Sequence, residues 1–217
     1  DRDEAPPHTA AAWQQVSIPT RECPGVSRCP FGGECFVERS RESARTADLI
    51  VTNHALVAIN AMHGGTALPE HDALIIDEAH ELMGRLTTAA TGELSAGVAE
   101  RVVKRCLAWL GDELGGDLLD AVEELHDALA DSPTGRITGA DVPLPVACAG
   151  LRDASRRAIS DLGKDRDNPE RSQAAGALGE IFDISERIAR LADQDVVWVS
   201  RSDGMGETAH VAPLSVA

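Results

Sequence analysis

Asp77 and Glu78 are adjacent carboxylates that follow an unbroken apolar run, Ala73-Leu74-Ile75-Ile76, and precede Ala79 and His80. The run has the composition of a buried strand, which places the pair at a strand's carboxyl end. In open α/β sheets that end is where ligands bind. An Asp there can help hold Mg²⁺, through a bound water, on the phosphates of a nucleotide. A Glu beside it can take a proton from the attacking water as a general base. Phosphoryl transfer needs both charge neutralisation and an oriented nucleophile, so the pair suits that chemistry. The plainer alternative is an acidic first turn of a helix, favoured by the helix dipole. The Asp-Glu-Ala-His quartet behind four apolar residues favours the chemical reading. The other half of a nucleotide site is absent, since no G-x-x-x-x-G-K-[ST] loop occurs. The one Gly-Lys pair, Gly163-Lys164, is followed by Asp165. This stretch alone is therefore expected to hydrolyse no ATP.

The second chemical signal is a cysteine triplet. Cys23, Cys29 and Cys35 stand six residues apart among Pro24, Pro30, Gly32 and Gly33. Those turn formers predict a loop able to wrap a compact object. Thiolates ligate iron–sulfur clusters and zinc, but structural zinc favours cysteine pairs two to four residues apart, which this stretch lacks. A cubane cluster takes four cysteines. The fourth ligand could lie outside this chain, or be Cys106 or Cys148. Alternatively, the three thiols could simply be packed as small hydrophobes. Cys106 falls on an apolar helix face and Cys148 in an apolar Pro-Leu-Pro-Val-Ala-Cys run.

Bulk properties narrow the field. The 217 residues are 43% apolar with few aromatics, which supports a core of Leu, Val, Ile and Ala. A net charge of −16 argues against a surface built mainly to grip nucleic acid. Residues 1–45 are nearly balanced, with six Arg against seven Asp and Glu, so DNA contact is expected there first. Arg21, Arg28, Arg39, Arg41 and Arg45 could line such a path. Their alternation with Glu22, Glu34, Glu38 and Glu42 reads for most of them as a solvated surface. No transmembrane run and no leader peptide are expected, and the chain reads as an internal piece of a longer protein.

These residues need elements to position them. Residues 1–22 read as irregular and 36–47 as a short charged helix. Asp48-Leu49-Ile50-Val51-Thr52 reads as a buried strand, with Asn53 capping a helix from His54 to Asn60. With the run at 73–76, two buried strands joined through a helix predict part of a parallel sheet. Beyond about residue 87 the periodicity becomes helical. Leu94, Val98, Val102, Cys106 and Leu110 mark one face, and Leu118, Val122, Leu125 and Leu129 a second. Leu151, Ala154, Ala158 and Leu162 mark a third, and Ala174 through Leu191 a fourth. Loops separate the helices, notably 131–145. Residues 196–199 and 209–214 read as strands around a turn at Ser202-Asp203-Gly204. Trp109 and Trp198 read as core rather than base-stacking platforms, and His63 and His71 as solvated loop residues. For Asn53 and His54, contact with the motor or DNA stands beside a plain cap and a packed His.

The quartet matches the DEAH box of superfamily 2 helicases. The order of spaced cysteines, the SRESARTADLIVTNHAL stretch, the apolar run and the quartet resembles the DinG/XPD group of iron–sulfur DEAH-box DNA helicases, the bacterial DinG-like members in particular. The motif resemblance covers residues 23–81, and residues 90–195 match in architecture alone. It implies an α/β fold with a largely helical insert. Residues 1–45 would be an iron–sulfur segment, 46–86 part of a RecA-like motor domain, 87–195 a helical arch-like domain, and 196–217 strands returning to the motor. It implies an ATP-dependent helicase moving 5′ to 3′ on single-stranded or forked DNA, in repair or replication, in the cytoplasm and away from membranes. Asp77 would assist Mg²⁺, Glu78 activate water, and His80 couple nucleotide state to movement. Cys23, Cys29 and Cys35 would be three of four ligands of a [4Fe–4S] cluster, the fourth lying outside this chain. Mg-ATP would bind in the full protein, whose remaining chain is the expected partner. The missing phosphate loop and fourth cysteine are departures. A non-catalytic metal-binding module that docks DNA or protein through its helices is the alternative.

Overall fold

The computed structural model describes residues 6–9, 12–13, 17–18, 22–23, 25–62, 65, 67–139, 142–164, 168–202 and 206–215. Arg21, His63 and the turn at Asp203-Gly204 lie outside them. Among the described residues the chain is α/β, with seven α-helices and one small sheet. Helix α1 (Phe36–Arg45) follows the cysteine loop, α2 is His54–Met62 and α3 is Ala79–Ala90. Then come β1 (Gly92–Leu94), α4 (Ala96–Cys106), α5 (Asp112–Asp131) and β2 (Gly135–Ile137). Helices α6 (Pro143–Leu162) and α7 (Pro169–Arg190) lead to β3 (Asp195–Ser202) and β4 (Gly206–Pro213). The sheet order is β1-β4-β3-β2, antiparallel throughout.

The expected parallel strands at 48–52 and 73–76 do not form. Both runs are unpaired, and Leu49, Val51 and Ile75 are 82%, 89% and 94% exposed. A wholly apolar run needs a neighbour strand and a covering layer on each face. Among the described residues neither run has them.

The core lies instead between α4–α7 and the sheet. Leu118, Leu125, Leu144, Leu151, Leu162, Leu178 and Ile188 are fully or almost fully buried, and they share one cluster with Val197, Val199, Ala209 and Val211. The hairpin β3–β4 is thus part of the helical unit's core. Three of the four helical faces are as their periodicity predicts. The stripe from Leu94 to Leu110 is not, because each step of four residues overshoots a turn by about 40°. Leu94 belongs to β1, Ser95 caps α4, Val98 is exposed, and the buried face is Ala99, Val103 and Cys106. The loop expected over 131–145 is also shorter than its prolines suggest. It holds β2, and Pro143 opens α6, where its missing N–H costs nothing.

Trp198 is not a core residue. Val197 and Val199 face inward, so strand alternation turns Trp198 outward. There it stacks on His210, with centroids 4.9 Å apart and planes 7° from parallel. Trp109 packs against the core as expected. Helices α6 and α7 are joined by a polar clasp. Asn168 Oδ1 accepts from the N–H groups of Glu170 and Arg171, and Arg171 donates to the last carbonyls of α6, Asp161 and Leu162. Leu178→Ala should cost about 2–5 kcal/mol by loss of burial and creation of a cavity. Chemical denaturation followed by circular dichroism checks it, and a loss below that range would show that the site collapses around the gap.

Candidate functional site

Two short elements place the acidic quartet. Asn53 Oδ1 accepts from the N–H of Leu56 at 2.9 Å, so Asn53 does cap α2. His54, the first residue of that helix, reaches across 23 residues to the backbone carbonyl of Asp77 at 2.8 Å. A carbonyl only accepts, so Nε2 of His54 must carry the proton. Helices α2 and α3 also pack on each other. The start of one helix thereby fixes the chain where the other begins.

Asp77 Oδ1 accepts from the N–H of Glu78 at 2.9 Å, and Glu78 is the cap residue of α3. Glu78 has φ 47° and ψ 44°, in the left-handed region. For a residue with a Cβ this costs roughly 1–2 kcal/mol. The one other non-glycine residue of positive φ among those described is Leu191, at a helix C-terminus where that conformation is common. At a helix N-terminus it is not, and such local strain gathers at functional positions. Both carboxylates face solvent. His80 Nδ1 lies 3.3 Å from Glu78 Oε2, a contact that becomes an ion pair when His80 is protonated. Asp77, Glu78 and His80 therefore form one exposed patch at the head of α3. The adjacency of the three was visible in the sequence; the His54 tether and the left-handed Glu78 were not.

The cysteine loop is compact at its centre. The N–H groups of Arg28 and Cys29 donate to Gly25, that of Gly32 to Cys29, and that of Cys35 to Gly32. A Cβ on Gly32 would lie 2.3 Å from the carbonyl oxygen of Val26, so the two strands of the loop meet at a residue that must be glycine. Cys23 is exposed, Cys29 and Cys35 half-buried, and all three are free thiols. The donor chemistry fits a thiolate-held iron–sulfur centre. The thiols are not gathered: among the described residues no group of three or more His, Cys, Asp or Glu side chains lies in a metal-binding geometry. The expected convergence of Cys23, Cys29 and Cys35 is therefore not found.

Cys106 and Cys148 are packed as core residues. Both are fully buried in the helical core, and Cys106 Sγ donates to the carbonyl of Ala174. Burial pushes their thiols up to about 11 and about 12. Neither offers a thiolate near neutral pH. Alkylation of the native, iron-free chain at pH 8 should accordingly modify Cys23, Cys29 and Cys35 quickly, and Cys106 and Cys148 only after denaturation. Peptide mass spectrometry reads this directly; early label on Cys148 would contradict the packing.

The described arginines of the first segment are engaged on the surface. Arg41 and Arg45 pair with Glu38 and Glu42, and Arg39 lies over the ring of Phe36 at 4.7 Å. Glu22, beside Cys23, forms a two-pronged pair with Arg105 of α4, its shorter contact 2.7 Å. This ties the cysteine segment to the helical unit. His71 is exposed and turns back on the carbonyl of Pro69.

The comparisons with known proteins follow the same line. Over its whole length the chain is 40% identical to a protein of Mycobacterium tuberculosis (strain ATCC 25177 / H37Ra) named ATP-dependent helicase DinG. The chain belongs to the DinG-type helicase family. It is also 26% identical, over 91% of its length, to the ATP-dependent DNA helicase DinG of Photobacterium profundum. A third of it is 39% identical to the ATP-dependent DNA helicase YoaA of Escherichia coli K12. The chain spans 35%, 33% and 12% of these relatives' own lengths. No family model matches it. Among the described residues of this DinG-type chain, no helix is long and apolar enough to cross a membrane.

Proposed function

We propose that this DinG-type chain is the part of an ATP-dependent DNA helicase that supplies the acidic half of the hydrolytic site. The observation that carries the reading is the exposed Asp77-Glu78-Ala79-His80 patch, held at the head of α3 with Glu78 in a strained conformation. Full-length identity to a protein named as such a helicase supports it. In the complete protein, Asp77 would help hold Mg²⁺, which offsets the charge on the transferring phosphoryl group. Glu78 takes the proton of the attacking water. His80, within reach of Glu78, senses the charge on that carboxylate and relays it toward DNA.

The exposed runs at 48–52 and 73–76 are, in this reading, strands of a RecA-like motor sheet whose neighbours lie in the rest of the helicase chain. The relatives, nearly three times as long, leave ample chain for them. The helical unit is the arch-like domain, and we set its limits near residues 92 and 213, taking in the hairpin that shares its core. Cys23, Cys29 and Cys35, with a fourth thiolate outside this chain, hold a [4Fe–4S] cluster that braces the segment before α1. The substrate is single-stranded or forked DNA, and the setting cytoplasmic. The test uses the full-length protein on duplexes with a 5′ or a 3′ single-stranded tail. ATP-dependent opening of the 5′-tailed duplex alone is the expected result. Equal opening of both would overturn the polarity, and no opening of either would overturn the function.

A further inference from the structure

Helix α3 buries no residue, yet it runs from the acidic patch straight into the helical unit. Its twelve residues make a rod of about 18 Å. At the head, the rod is set by His54 and by packing on α2. What fixes its tail is Arg187 of α7. The Arg187 guanidinium donates to the carbonyl of Ala90, the last residue of α3, at 2.9 Å. The same guanidinium is held by the Asp195 carboxylate through two contacts, the shorter 2.6 Å. Asp195 is itself anchored, its N–H donating to Ala192. Its side chain is 15% exposed and that of Arg187 33%.

One turn earlier on the same face of α7, Ile184 closes on Gly92, where a Cβ would meet Ile184 Cγ1 at 2.9 Å. The exit of α3 is therefore gripped from one helix by an apolar wedge and a charged fork. A cation on a C-terminal carbonyl also complements the negative end of the helix dipole. A single planar guanidinium serves the carbonyl and the carboxylate together through separate N–H groups.

We propose that Arg187, oriented by Asp195, is a positioning residue that couples the helical unit to the Asp77–His80 patch through α3. Movement of α7 or of the β3 start shifts the tail of the rod, and the rod carries that shift to Glu78. The inference rests on the reading of Glu78 as the hydrolytic base, and concerns a residue that touches neither nucleotide nor reacting water.

The experiment compares Arg187→Met, Arg187→Lys and Asp195→Asn in the full-length helicase. It measures DNA-independent ATP hydrolysis, nucleotide affinity, duplex opened per ATP consumed, and amide hydrogen exchange across 79–91. Arg187→Met should leave the first two unchanged, lower duplex opened per ATP by about fivefold or more, and speed exchange at 87–91. Arg187→Lys should fall between wild type and Arg187→Met, and Asp195→Asn should shift in the same direction by less. Wild-type opening per ATP in Arg187→Met would overturn the proposal. So would parallel loss of hydrolysis, opening and thermal stability, which marks a merely structural residue. If Arg187→Met does not fold, wild-type behaviour of both milder variants overturns it. Should Glu78→Gln hydrolyse ATP at the wild-type rate, the hydrolytic reading fails instead, and the exchange at 87–91 still decides whether the clamp holds α3.

Discussion

Glu78→Gln in the full-length protein is expected to slow ATP hydrolysis by about 10²- to 10⁴-fold while nucleotide affinity stays near that of the wild type. The substitution keeps the size of the side chain and removes the proton acceptor. Binding should survive, because the phosphate-binding loop and Asp77 are untouched. The left-handed backbone of Glu78 sharpens the test. Gln suffers the same backbone strain as Glu, so folded stability should hardly change and the lost rate can be assigned to the carboxylate. Glu78→Gly is the informative control, since it relieves the strain and should raise stability while leaving hydrolysis as low as in Glu78→Gln. Steady-state turnover, nucleotide titration and thermal unfolding of the three proteins check each part. Hydrolysis by Glu78→Gln at the wild-type rate would remove Glu78 from the role of base.

The sequence was legible where a local rule decides the outcome. Asn53 before an apolar helix is a cap, and the structure makes it one. The periodic faces at 118–129, 151–162 and 174–188 became the buried faces of α5, α6 and α7. It was misleading where the outcome depends on partners distant in the chain. Leu49-Ile50-Val51 has strand composition, but pairing needs neighbours that the described residues do not supply. Trp198 looked like core because large aromatics usually are, yet strand alternation beside Val197 and Val199 turns it outward. The same limit applies to the site. The Asp-Glu-Ala-His order can be read from the sequence, whereas the reach of His54 across 23 residues and of Arg187 across 97 cannot. Both are single side chains meeting backbone carbonyls, and such contacts leave no periodic trace.

Cys29→Ser is expected to abolish the iron of the full-length protein purified without oxygen, and with it the brown colour and broad visible absorption of an iron–sulfur centre. Thiolates repel one another, so three of them have little electrostatic reason to gather without iron. The loop nevertheless has a shape suited to closing. Gly25 supplies a positive φ, Cys29 and Cys35 are linked through the backbone of Gly32, and Gly32 admits no Cβ against Val26. Gly32→Ala should therefore lower iron content while leaving every thiol in place, because the Val26 carbonyl that blocks its Cβ is backbone and cannot simply rotate away. Serine at position 29 keeps the loop and changes only the donor, replacing a soft thiolate by an oxygen poorly matched to the cluster. The Glu22–Arg105 pair gives an independent readout. If cluster loss frees the segment, charge reversal at Arg105 should loosen residues 1–35 to proteolysis in the wild-type background and add little in Cys29→Ser. Iron analysis, visible spectra and limited proteolysis settle the three arms. Zinc at full occupancy with no iron in the anaerobic wild-type protein would overturn the cluster, and full iron in Cys29→Ser would remove that residue from the ligand set.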